Sequence, residues 1–96
     1  MDNPHEKTLG QALNQYLNNS KLKEKLLEVQ ITEIWKEISD AVVNKHTREI
    51  ILKDRKLVIR VDSSVVRQEL NFIKSRLIIA INRKLETPFI EEIQVI

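Results

Sequence analysis

Cysteine is absent from this chain of 96 residues, which removes disulfides and thiolate chemistry and suits a reducing compartment. Glycine occurs once, at Gly10, so a glycine-rich phosphate loop has nothing to be built from. Proline occurs only at Pro4 and Pro88, leaving long stretches free to form regular elements. The two histidines, His5 and His46, stand far apart with no HExxH-like spacing around them, and no metal or cofactor is expected. The N-terminal MDNPHEK is charged and lacks an apolar signal core. No apolar run approaches the ~18 residues of a membrane span, so a cytoplasmic chain without a membrane role is expected.

What is present is enough for one core. The composition is 42% hydrophobic and 31% charged, which is globular rather than disordered, and this length fits a single domain. The net charge of +2 is too small to argue for a nucleic-acid partner, but it is unevenly distributed. Residues 1–40 balance to −2, 41–61 to +4, 62–85 to +3 and the last eleven to −3. This basic middle either attracts phosphates or an acidic protein face, or lies solvated among the acidic ends.

The periodicity places the elements. Leu9, Leu13, Tyr16 and Leu17 share one face of a short helix over 8–18, capped by Thr8. From Lys21, a stripe of Leu27, Ile31, Ile34, Trp35, Ile38 and Val42 predicts a second helix ending near His46. The period then becomes two. Ile50 and Leu52 oppose Ile51, while Leu57, Ile59 and Val61 alternate with Lys56, Val58 and Arg60 across a turn at Asp54 and Arg55. Asp62, Ser63 and Ser64 offer caps for one long helix to about Leu85, with Val66, Leu70, Ile73, Leu77 and Ile81 on one face and Thr87-Pro88 closing it. Ile90–Ile96 reads as a last strand. The order α-α-β-β-α-β predicts a small α+β domain over residues 8–96, with helices covering one face of a three-stranded sheet, preceded by a flexible segment over 1–7.

WKEISDAVVNKHTREI, residues 35–50, gathers the only tryptophan with His46 and several charges, and reads as the join between helix and strand rather than a reaction centre. Trp35 lies in the apolar stripe and is expected in the core, and the His46 imidazole is placed to meet the last helical carbonyls. Ser63 and Ser64 serve as caps, not nucleophiles. Glu69 is expected in an ion pair with Lys74, Arg76 or Arg60 rather than as a general acid. With no pair of groups in matched roles, no catalytic residue is assigned and no enzyme activity is expected. Lys45 and Arg48 flank the junction, and with an outward Arg60 they form a cationic cluster suited to phosphates, to which Arg67 and Lys74 add. Val65, Phe72 and Ile79 recur every seven residues beside Arg76 and Arg83. This second stripe is expected to bury against an earlier helix of the same chain, or otherwise against a second copy in a homodimer or another protein.

The succession W-K-E-I, V-N-K-H-T, L-V-I-R-V-D-S-S, Q-E-L, I-N-R-K-L and I-Q-V-I resembles the DciA-like family over about Leu9 to Ile96. Trp35, His46, Thr47, Leu57, Ser64, Glu69 and Leu70 stand at the positions that carry this likeness. Asp40, Glu49 and Val66 depart from it, standing where a glycine, a proline and an aromatic residue are common. The resemblance implies a KH-like fold and a partnership with the bacterial replicative helicase, and with DNA, mainly through phosphates. The GxxG loop of KH domains is missing, so the usual KH clamp on nucleic acid is not expected.

Overall fold

The computed structural model describes residues 9–11 and 20–96. Most of the helix expected over 8–18, with Leu13, Tyr16 and Leu17, lies outside them, as do the segment 1–7 and His5. Residues 9–11 are helical, with Leu9 exposed. The other elements are α1 (Ser20–Ile38), α2 (Ala41–His46), β1 (Thr47–Lys53), β2 (Lys56–Val61), α3 (Ser64–Phe72), α4 (Lys74–Leu85) and β3 (Glu92–Val95). The fold is small and α+β, as the periodicity predicts.

The sheet order is β1-β2-β3, with β2 antiparallel to β1 and parallel to β3. Leu57, Ile59 and Val61 of β2, Leu52 of β1, and Ile93 and Val95 of β3 form one buried face, as the alternation requires. Ile31, Ile34 and Trp35 of α1, Val66 and Leu70 of α3, and Leu77 and Ile81 of α4 complete a single core on that face. Among the described residues the opposite face, with Glu49, Ile51, Val58, Arg60 and Gln94, carries no helix. Asp54 turns the β1–β2 hairpin with φ 56°, a left-handed conformation that a short polar side chain tolerates in place of glycine.

Two helices expected to be continuous are each divided. The first stops at Ile38 instead of reaching His46, because Asp40 is extended and its carboxylate accepts the Val43 N–H at 2.8 Å, starting α2 as an N-cap. The Asn44 amide donates to the carbonyls of Lys36 and Ser39, satisfying the end of α1. Val42 consequently leaves the apolar stripe and is exposed. The long helix divides at Ile73, whose N–H bonds the Leu70 carbonyl at 3.1 Å in one tight turn. Its apolar face survives, since Val66, Leu70, Leu77 and Ile81 all reach the core. Ser63 is the N-cap of α3, accepting the Val66 N–H at 3.2 Å.

Candidate functional site

The junction between α1 and β1 is structural at its centre. The Trp35 ring is 1% exposed, and its Nε1–H donates to Thr47 Oγ1 at 3.1 Å. That hydroxyl donates in turn to the Val43 carbonyl at 2.8 Å. The indole thus enters the core with its polar atom satisfied. A cleft of about 180 Å³ beside it, lined by Thr32, Lys36, Asn44, Thr47 and Arg48 among others, is smaller than the roughly 300–1,000 Å³ of small-molecule sites.

The outer side of the junction is organised by Asp62. The His46 imidazole does not cap α2; its Nδ1 lies 2.7 Å from Asp62 Oδ1. Arg48 Nε donates to Asp62 Oδ2 at 2.5 Å, and a terminal guanidinium nitrogen joins the same oxygen. The His46 hydrogen bond, then that of Arg48, holds the Asp62 carboxyl below its ordinary pKa. A break in register makes this possible. Thr47 pairs with Val61 but Glu49 pairs with Arg60, so Arg48 is the extra residue of a β-bulge, and bulges re-aim side chains. Nothing in the composition marks the bulge, although a charged residue interrupting β1 just after its first position is a trace of it.

Arg60 lies on the helix-free face of the sheet and donates to Glu49 Oε1 at 3.2 Å. Arg67 donates to the Val61 carbonyl at 3.2 Å, keeping its charge without a carboxylate. Lys45 is exposed at the end of α2 and has no ion pair with a described residue. Lys45, Arg48, Arg60 and Arg67 thus sit on segments that meet near the end of β2, Arg60 on the helix-free face and Arg67 on the helix side, with Arg48 and Arg60 held by carboxylates. Lys74 begins α4, seven residues beyond Arg67 and past the break at Ile73.

The imidazole and carboxylate of His46 and Asp62 meet, but among the described residues no hydroxyl is hydrogen-bonded to that pair, and the Thr47 and Ser63 hydroxyls serve Trp35, Val43 and Val66. Glu69 is exposed and, contrary to expectation, has no ion pair with a described residue. Among the described residues no group of three His, Cys, Asp or Glu is placed to hold a metal. None of the described helices is long and apolar enough to cross a membrane.

The second apolar stripe is not buried by an earlier helix. Val65 is 63% exposed, Phe72 86% and Ile79 58%. Val65 and Phe72 line one open groove with Gln68, Glu69 and Ile73, and Ile79 and Arg83 line another toward the end of α4. Arg76 and Arg83 are exposed and have no carboxylate partner among the described residues.

Compared with protein families, the chain matches the model described as Dna[CI] antecedent, DciA, over residues 8–95. No curated protein and no solved structure matches, and kinship with the KH fold rests on the family resemblance alone.

Proposed function

The chain belongs to the DciA family, and from that premise we propose that it is a non-enzymatic interaction module of bacterial DNA replication, working with the replicative helicase. The family is linked to loading of that helicase, and the match spans nearly the whole chain; this observation carries the reading. DNA would be held through its phosphates by Lys45, Arg48, Arg60 and Arg67 around the end of β2, with Lys74 as an outlying contact. A protein surface centred on Val65, Phe72 and Ile79, with Arg76 and Arg83 at its rim, would meet the partner. The test is sedimentation of the purified chain with the replicative helicase from the same cell. A complex that survives dilution supports the reading; independent sedimentation at micromolar concentration removes it.

One observation favours a second reading, a protein-only adaptor or homodimer. Arg48 and Arg60 are engaged by Asp62 and Glu49, and a guanidinium paired with carboxylate attracts phosphate less. Titration with single-stranded and duplex DNA at low and high salt separates the two. Affinity that falls as salt rises belongs to the DNA-binding reading, and no affinity at low salt belongs to the adaptor.

A further inference from the structure

The outward surface of α3 and α4 exposes apolar side chains that the fold itself does not use. Both helices send Val66, Leu70, Leu77 and Ile81 into the same core, so their opposite faces look out on the same side of the molecule. On α3, Val65 and Phe72 are seven residues apart and therefore on one face. On α4, Arg76, Ile79 and Arg83 share a face at i, i+3 and i+7. From Phe72 to Arg83 there are three cations, Lys74, Arg76 and Arg83, and no acidic residue. The nearby Lys84 is already bonded to Glu37 at 2.9 Å, while Arg76 and Arg83 have no carboxylate among the described residues.

We infer that this face is a docking surface for an acidic amphipathic helix of a protein partner, whose apolar residues seat on Val65, Phe72 and Ile79 and whose carboxylates meet Arg76 and Arg83. Val65 and Phe72, seven residues apart on α3, match the two-turn repeat of a partner helix, and Ile79 adds one apolar contact on α4. The side chains of this face argue against the other occupants. A second copy laid antiparallel with its axis beside Ile79 would set Arg76 and Arg83 against the same arginines of its mate, a like-charge contact. A nucleic-acid strand gains from stacking on Phe72 but not from aliphatic Val65 and Ile79. A helix with leucines flanked by glutamates satisfies both the apolar and the cationic parts.

The inference rests on the reading of the chain as a protein-interaction module, but its test does not use the helicase, so either can fail alone. Three synthetic helical probes with the same leucine face, and glutamate, lysine or glutamine beside it, are titrated against the full chain by fluorescence anisotropy. Oligothymidylate is titrated in parallel, and the mass of the chain alone is measured by sedimentation. The expected result is binding of the leucine–glutamate probe at least about tenfold tighter than the other two, since charge complementarity sets partner choice. Phe72→Asp should weaken it by about tenfold or more. The double variant Arg76→Glu/Arg83→Glu should invert the preference toward the leucine–lysine probe, a change that a folding defect does not produce. Circular dichroism melts of both variants should match wild type, since the altered side chains are exposed. The inference is overturned by equal binding of the three probes, by no binding, by a preference that the double variant leaves unchanged, by oligothymidylate binding lost in Phe72→Asp, or by a dimer of the chain that Phe72→Asp dissociates.

Discussion

Asp62 joins three segments with one side chain: it follows β2, bonds the last residue of α2 and holds the bulged residue of β1. Its carboxyl pKa is lowered, chiefly by the hydrogen bond from His46 and then by that from Arg48. The unfolded chain therefore binds this proton more readily than the folded one. The stabilisation is present above the ordinary carboxylate value of about 3.9 and is lost as pH falls through the lower folded value. Thermal melts of wild type and Asp62→Asn should differ at pH 7 and converge in strong acid; a constant difference would show that the cluster does not report on this proton. Trp35 makes a different demand, because its indole N–H has left water and depends on Thr47. Thr47→Val should cost about 1–3 kcal/mol for the unpaired donor, read by urea unfolding, and Thr47→Ser should restore most of it. The burial of Trp35 was legible from its place in the stripe, but its hydrogen-bond partner twelve residues away was not, since a threonine opening a strand has many possible uses. Asp40, Glu49 and Val66 have roles that become visible only in space. Asp40 caps α2, Glu49 bonds Arg60 across the strand pair, and Val66 fills the core.

Elements were legible wherever burial has a period. The alternation in β1 and β2 and the stripes of α1, α3 and α4 all point to the observed core, because each side chain on those faces faces the same sheet. The breaks were less legible. At Ser39–Asp40 and at Ile73 the apolar spacing continues across the break, and no glycine or proline marks either position. What divides the helices is local hydrogen bonding by Asp40 and Asn44 and a single tight turn at Ile73. The free edge of β1 depended on contacts still more remote: Glu28 accepts the Leu52 N–H at 3.0 Å and Glu24 the Asp54 N–H at 3.2 Å. These carboxylates occupy donors that an exposed edge would offer to another strand. At the other side of the sheet Asn82 clamps the approach to β3, accepting the Ile90 N–H at 2.8 Å and donating to its carbonyl at 2.9 Å. Asn82→Ala should cost about 2–3 kcal/mol by leaving both Ile90 groups unpaired. Amide exchange should show the loss first in Ile90 and β3, with α1 and β1 protected as before.

At the scale of the whole molecule, the basic block from Lys45 to Lys84 is legible as a sum, but its arrangement is not, because each cation's partner depends on the fold. Of the five residues expected to hold phosphate, Arg48 and Arg60 face carboxylates, while Lys45, Arg67 and Lys74 keep charges that no described carboxylate offsets. Counterion release turns this difference into a measurable slope. Each phosphate neutralised on single-stranded DNA contributes about −0.7 to the change of log affinity with log salt. Three available charges predict a slope of about −2.1, whereas all five engaged predict about −3.5. Asp62→Asn should release Arg48 and steepen the slope by about −0.7, and Glu49→Gln should do the same for Arg60, the two adding because they act on separate pairs. Affinity at low salt should rise in both variants, since each also removes a negative charge beside the bound strand. A wild-type slope near −3.5 that neither variant changes would mean that phosphate already displaces Asp62 and Glu49 on binding. A shallow slope unmoved by either would take Arg48 and Arg60 out of the DNA contact and leave the apolar face of α3 and α4 as the surface through which this protein acts.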